Sequence, residues 1–483
     1  MHYLPNRSKK IVLTLYLPWV LAEIVAYDPV ISYFVAWTGS FFVFYISIWS
    51  PLKYIGGDLP ANQQSMRPVV LVQLIFAGFM CCTSIFYFLN HLCPGGMDNL
   101  HSCIFLPNDQ TFRIATCQRL SLLAHAALTT GIIFFTKKLP QLRYTIGLGL
   151  PKLVFRICLF SSLTGLGITF FPGLIQLRQP LLNLAFTCAA YLFVHGLKNK
   201  RHHIALLAGI TIAINITISA TSGFKEALIL NFIQISFIAY PVFKRTVIFL
   251  AVPSVYALLF LLPTFNTIIR NQSWVKKKPK VESGIEAYSS FFEEDAQQKI
   301  TTNNWEFLTT RFSEMAMFSQ YVQQVPDRYP YYGLRILEDA FRALIPRILW
   351  PDKPSTEKIA MERVYRTGVV NRASPVSAKT RPVVDAYLSG GSAGVLITML
   401  IYGILVQAIC NTAEALFGGY HLGCMIIFNS LFQSLWRGNT LEFMLNNILY
   451  GYILMLTIHW ILKKTRLIIP KTQHDDHTHY TFL

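Results

Sequence analysis

Acidic residues are scarce in this sequence: 24 Asp and Glu stand against 42 Lys and Arg, a formal net charge of +18. Such an excess often marks nucleic-acid binding, but here the basic residues sit in short clusters between apolar runs rather than along one soluble face. They read as topology signals, and nucleic acid is not an expected partner. Charge of either sign is sparse, at 14% of the chain. Cysteines number nine and are scattered, with no Cys-x-x-Cys pair, which excludes a disulfide scaffold and a thiolate metal site. The apolar runs lack alternation, which excludes a membrane β-barrel. Internal repeats and low-complexity tracts are also missing. The first apolar run, Ile11 to Tyr27, is followed by Asp28-Pro29 rather than by a small-residue cleavage site, so it is expected to stay as a helix.

What is present is apolar sequence. Hydrophobic residues make up 53% of 483 positions and the mean hydropathy is +0.42, above the range of a soluble domain of this length. Runs of about 18 residues or more recur, each long enough to cross a ~30 Å hydrocarbon layer as a helix. Candidate spans are approximately 11–27, 30–50, 68–90, 114–136, 153–171, 179–196, 204–220, 226–241, 246–265, 393–411, 421–436 and 444–462. The expected fold is therefore all-α, a polytopic membrane protein of about twelve transmembrane helices whose partner is the lipid bilayer. Few of these spans are expected to be interrupted.

The positive-inside rule sets the orientation. With a cytoplasmic amino terminus, Lys137-Lys138 with Arg143 and Lys152, then Lys198, Lys200 and Arg201, then Lys244-Arg245, then Lys463-Lys464 with Arg466 all fall inside. Both termini are then cytoplasmic. Cys93 and Cys103 bracket an external connection, where either a disulfide or two free thiols is possible. The expected organisation is nine helices over 1–265, a large external loop over 266–392, three helices over 393–470 and a cytoplasmic tail over 471–483. A re-entrant segment at 226–241 or 421–436 would lower the count.

The external segment runs for about 125 residues, short for an independent domain, so it should pack on the bundle. Trp274 to Lys299 reads as a solvated linker. Trp305, Leu308, Phe312, Met315 and Phe318 recur at helical spacing, as do Leu334, Leu337, Ala340, Phe341 and Leu344, which predicts two amphipathic helices. Val325-Pro326-Asp327-Arg328-Tyr329-Pro330 is the turn between them. The stretch Ile345-Pro346-Arg347-Ile348-Leu349-Trp350-Pro351-Asp352-Lys353-Pro354 carries three prolines in nine residues and is expected to run extended. It either holds Arg347 and Lys353 stiffly for a phosphate or simply routes the chain. His125 and His195 are expected to be packing histidines, and Tyr329, Tyr331, Tyr332, Trp350 and Tyr365 are candidates for stacking on sugar faces or for the membrane interface.

From Arg311 through Tyr332-Gly333 to Ile345-Pro346-Arg347 and Trp350-Pro351-Asp352-Lys353-Pro354, the chain resembles the external loop of Wzy-type oligosaccharide repeat-unit polymerases, with the O-antigen ligases as more distant relatives. Thr221-Ser222-Gly223-Phe224-Lys225-Glu226-Ala227-Leu228 is similar to a Ser-Gly-Ser-Arg-Gly turn of that family, with Lys225 where an arginine is usual. Asp385-Ala386-Tyr387-Leu388 with Gly390-Gly391 and Gly394 is similar to its segment entering the helix after the loop, with Ser389-Gly390 where Asn-Phe is frequent. The resemblance implies a GT-C-like fold in the bacterial inner (cytoplasmic) membrane and polymerisation of undecaprenyl-pyrophosphate-linked glycans into surface polysaccharide. It further implies a periplasmic reaction without cofactor or metal, and a possible chain-length regulator as partner.

Such a transfer needs stabilisation of a departing pyrophosphate and orientation of an acceptor hydroxyl. The expected catalytic residues are Arg347, Lys225, Arg437 and Arg381 as phosphate clamps and Asp385 as base. Arg311, Lys353, Trp350, Tyr332 and Tyr387 are expected to bind substrate. Arg342 and Asp339 read as solvated helix charges, Asp352 as a turn cap and Glu226 as the partner of a neighbouring cation. An O-antigen ligase and a polysaccharide or lipid transporter (flippase) remain alternatives, with an O-acyltransferase further off.

Overall fold

The computed structural model describes residues 6–50, 63–93, 107–136, 142–221, 225–270, 279–290, 304–313, 315–346, 349–350, 352–373, 378–436 and 440–471, with single positions at 59, 60, 272 and 276. The architecture is helical, with one two-stranded sheet among the described residues. The helices of the first half are α1 (Asn6–Ile24), α2 (Pro29–Ile48), α3 (Pro68–Ile75), α4 (Ile85–Leu92), α5 (Asp109–Phe135), α6 (Leu150–Gly167), α7 (Arg178–Lys198), α8 (His202–Thr221) and α9 (Lys225–Ala239). There follow α10 (Lys244–Tyr256), α11 (Leu262–Arg270), α12 (Lys280–Ser289), α13 (Met315–Gln324), α14 (Arg335–Leu344) and α15 (Thr356–Arg366). The chain closes with α16 (Pro382–Leu416), α17 (Tyr420–Trp436) and α18 (Leu441–Lys464).

Among the described residues, seven helices are long and apolar enough to cross a membrane, at Pro29–Ile48, Val72–Leu92, Leu150–Phe170, Gly173–Lys198, His202–Ala220, Pro382–Leu416 and Leu441–Lys464. Val12–Ile24 and Leu228–Ala239 are shorter apolar helices. This is a multi-span membrane protein.

The chain divides into two compact units. One unit joins residues 1–141 to 309–458, and the other joins 142–308 to 459–483. The reason is that elements far apart in sequence pack together: in the first unit α5 is the central helix, enclosed by α16, α2, α1 and α13. Glycines permit its pairing with α16. A Cβ on Gly131 would be driven into the Leu400 carbonyl, and one on Gly403 into the Leu128 carbonyl, so the two backbones touch where neither helix has a side chain.

Several polar side chains buried in this unit find partners on neighbouring helices, as apolar surroundings favour. His125 on α5 lies between Ser40 Oγ at 2.7 Å and Gln73 Oε1 at 3.0 Å, and it stacks on Phe76. Ser84 joins the Tyr33 hydroxyl at 2.5 Å and donates to Gln118 Oε1 at 2.8 Å. His125 is thus a packing residue with both ring nitrogens engaged. Arg67 pairs with Glu414 through two contacts of 2.8 and 3.0 Å.

In the second unit α7 packs on α6, α8 and α9, and α12 packs on α11 and α8. The sheet pairs β1 (Tyr144–Ile146) antiparallel with β2 (Ile468–Pro470). Within Trp274 to Lys299, expected to be a solvated linker, the described residues form the helix α12; most of the rest of that stretch lies outside the described residues. Ser283 and Ala287 of α12 repeat at four residues and are buried, a signal too small in side-chain volume to stand out.

Some helices depart from regular α geometry. Phe76–Cys82 between α3 and α4 and Ala257–Leu261 between α10 and α11 are π-helical turns. α16 kinks at Gly390-Gly391, where Gly391 takes φ +61°, a conformation that side chains rarely adopt. A Cβ there would also meet the Tyr331 hydroxyl at 2.9 Å.

Candidate functional site at the mouth of two membrane helices

The densest buried charge in the first unit lies where α15 meets the starts of α16 and α18. Arg363 of α15 makes a two-pronged contact with Glu442 in the first turn of α18, Nη1 to Oε1 and Nη2 to Oε2 at 2.9 Å. Its Nη2 also lies 3.3 Å from Oδ1 of Asp385, in the first turn of α16. Asp385 is held from two further directions, by the Thr380 hydroxyl at 2.5 Å and by the Leu441 backbone N–H at 2.8 Å. All three charged side chains are buried.

The local sequence explains the arrangement. The opening turns of α16 and α18 present backbone N–H groups without helical partners, and carboxylates are favoured there by both hydrogen bonding and the helix dipole. Asp385 satisfies one of the amides that α18 leaves open, and Arg363 balances the two carboxylates across the junction. Burial works against the charged form of Arg363, yet Asp385 and Glu442 outweigh it and hold the guanidinium above its ordinary range. Asp339 of α14 is lifted above the usual carboxylate range by burial, with Arg363 opposing the shift.

One helical turn beyond Arg363, the exposed Arg366 places its guanidinium 5.4 Å from the centre of the Tyr332 ring. Burial raises the Tyr332 hydroxyl above its ordinary range, against the pull of Arg366, Arg363 and Arg335. Tyr332 is fixed by its backbone N–H, which donates to the Leu388 carbonyl at 2.8 Å. Tyr331 packs edge-on against Tyr387 at 6.0 Å, and the Tyr387 hydroxyl donates to the Val325 carbonyl at 2.7 Å. Among the described residues, Tyr332 Oη, Arg363 Nε and Thr440 Oγ1 have no hydrogen-bond partner, so bonding capacity is left over around the cluster. The result is a cation and aromatic platform on a rigid base, suited to a phosphate or a sugar face.

The expected site residues fall into three groups. Asp385, Tyr387, Tyr332 and Arg381 come together here, with Arg381 buried at the N-cap of α16. Lys353 and Trp350 are placed by the turn after α14. Lys353 Nζ donates to the Ala343 and Ile345 carbonyls at 2.6 and 2.9 Å, closing the C-terminal end of α14. At its described residues the proline-rich stretch turns rather than running extended: the Leu349 and Trp350 N–H groups donate to the Pro346 carbonyl, and the Lys353 N–H to the Trp350 carbonyl. Arg347 and Arg437 lie outside the described residues, and so do the side chains of Lys225, Glu226 and Arg311. Lys225 opens α9, in the second unit. Arg342 and Asp339 are 3.9 Å apart, with Arg342 mostly exposed.

Sequence reasoning missed Arg363, Arg366, Thr380 and Glu442, because it missed α15 itself. The signal was there: Ser355 caps the helix by accepting from the Lys358 N–H at 3.1 Å, and Ala360, Met361 and Val364 form a short apolar stripe. Cys93 is disulfide-bonded, while its expected partner Cys103 lies outside the described residues.

The sequence model of a family described as "Domain of unknown function (DUF8712)" matches residues 17–470, and the chain belongs to that family. No curated protein and no solved structure matches it.

Proposed function

We propose that this member of the DUF8712 family crosses the membrane about twelve times and joins lipid-pyrophosphate-linked glycan units into a polysaccharide at the non-cytoplasmic face. Helices occupy the twelve expected stretches, counting α3 with α4 and α10 with α11 as single crossings. With the amino terminus inside, the basic clusters at Lys198 to Arg201, Lys244-Arg245 and Lys463-Lys464 share the cytoplasmic side. The disulfide at Cys93 then falls on the oxidising side. The same orientation sets the Arg363 cluster and the segment over α16 and α18 outside.

The observation that carries the reading is Arg366 stacked on Tyr332, one turn from a buried anchor at the mouth of two membrane helices. In this scheme the acceptor hydroxyl oxygen bonds to the donor's anomeric carbon. The bond from that carbon to the pyrophosphate breaks, and the leaving group departs with the electron pair. The hydroxyl proton passes to solvent. Arg366 and Arg335 neutralise the departing charge, Tyr331 and Tyr332 seat a sugar face, and Asp385 holds the helix mouths together in place of acting as a base. Lys353 supports α14 in place of binding phosphate.

The test is deletion of the gene and resolution of the surface glycan by gel. A single capped repeat unit supports polymerisation, and an unchanged profile dismisses it. Arg366→Ala is expected to remove long chains while protein level holds; chains of normal length would take Arg366 out of the site. A second reading, transport of a lipid-linked glycan, draws on the interrupted helices at Phe76–Cys82, Ala257–Leu261 and Gly390-Gly391. Loss of all surface glycan on deletion favours transport or ligation over polymerisation.

A further inference from the structure

α14 has three faces. Placed at 100° per residue, Ile336, Ala340 and Ala343 fall together and are buried, and α14 packs on α16. Arg335, Glu338, Asp339 and Arg342 form a polar sector. The third sector is Leu334, Leu337, Phe341 and Ile345, which is apolar and open: Leu334 is 72% exposed and Phe341 59%. Leu349, just past the helix, is 76% exposed and extends the same character. A short helix in the polar segment thus spends its most hydrophobic residues on an exposed surface.

We propose that α14 is an interfacial helix whose third face lies in the outer boundary of the lipid bilayer. Three observations select lipid as the occupant. First, α14 is tied to a membrane helix near its end: Tyr332 N–H, just before α14, bonds to the Leu388 carbonyl, six residues into α16 and about 9 Å along its axis at 1.5 Å per residue. That bond holds α14 beside the first turns of α16, which begins at Pro382. Second, the sector beside the apolar one carries Arg335 and Arg342, both exposed, whose long stems let the charge rise to lipid phosphates while the leucines and phenylalanine enter the acyl layer. Third, α16 itself turns Ile397, Ile401 and Leu405 outward at four-residue spacing, the pattern of a lipid-facing stripe, so the helix that carries α14 is itself bathed in lipid. The consequence for the site is positional. Tyr332, which carries Arg366 over its ring, lies just before α14, so lipid contact along the helix fixes the height of the Tyr332 and Arg366 platform above the acyl chains.

This inference rests on the membrane reading and not on glycosyl transfer, so it survives or fails independently of the gel assay above. The experiment uses the full-length purified protein in vesicles of phosphatidylethanolamine and phosphatidylglycerol. A benzophenone amino acid replaces Phe341 in one variant, Leu334 in a second and Arg335 in a third, and illumination is followed by mass spectrometry. The expected result is phospholipid adducts at positions 341 and 334, several-fold above those at 335. Equal and low adduct yields at all three positions would overturn the proposal, as would cross-links from 341 to a second copy of the chain. Two apolar positions are used so that a folding defect at one leaves the other to decide.

Discussion

Removal of Arg363 should damage this protein more than removal of Glu442, one of the two carboxylates it serves. At separations of 2.9 and 3.3 Å, each guanidinium to carboxylate contact is worth on the order of 5 kcal/mol gross at an effective dielectric near 20. Stripping water from each ion costs several kcal/mol, so the intact cluster contributes little net stability. Truncation changes that balance. Arg363→Met leaves Asp385 and Glu442 facing each other without a cation, and should cost about 3–5 kcal/mol. Glu442→Gln leaves Arg363 with Asp385 and an amide oxygen to bond, and should cost about 1.5–3 kcal/mol. In the double variant Arg363→Met with Glu442→Gln the second change has no Arg363 contact left to lose, and the combined loss should fall short of the summed single losses by at least about 1.5 kcal/mol. The assay is thermal unfolding in detergent with a thiol-reactive fluorophore, because Cys81, Cys117, Cys188, Cys410 and Cys424 are buried and report when the bundle opens. Single variants within about 0.5 kcal/mol of the parent, with additive effects, would refute the reasoning.

Other consequences follow from the same geometry. Gly403→Leu should prevent the approach of α16 to α5 and abolish the monodisperse protein peak in size-exclusion chromatography, whereas Gly390→Ala, with open space around it, should leave that peak in place. Gly391→Ala should cost about 1–3 kcal/mol from its backbone conformation, and Tyr331→Phe should recover only the part due to the hydroxyl contact, read in the same thermal assay. Lys353→Met should lower stability by about 1–3 kcal/mol by leaving two carbonyls at the end of α14 short of a donor. A variant that keeps its stability but loses long glycan chains would instead return Lys353 to phosphate binding. Asp339, raised by burial, binds its proton more tightly folded than unfolded, so its contribution to stability is lost as pH rises through and above the ordinary carboxylate range. Asp339→Asn should flatten that part of a stability against pH profile.

What the sequence by itself determined is the solvent and the class of fold. Apolar runs without alternation admit only helices in lipid, and that follows from local composition, because each helix satisfies its own backbone. The periodicity of Leu334 to Leu344 was equally legible, since amphipathic spacing is written within eleven residues. His125 was legible as a packing residue by the rarity of other roles in an apolar helix. Tertiary structure alone decided the rest. The kink at Gly391 depends on Tyr331, sixty residues earlier, filling the space where a side chain would go. The charged cluster depends on Arg363, Asp385 and Glu442 meeting across a span of 79 residues, and no spacing rule links positions on three separate helices. Single charges near helix ends look alike in a sequence; burial and a shared partner distinguish them, and both arise only when α15 is folded onto the mouths of α16 and α18.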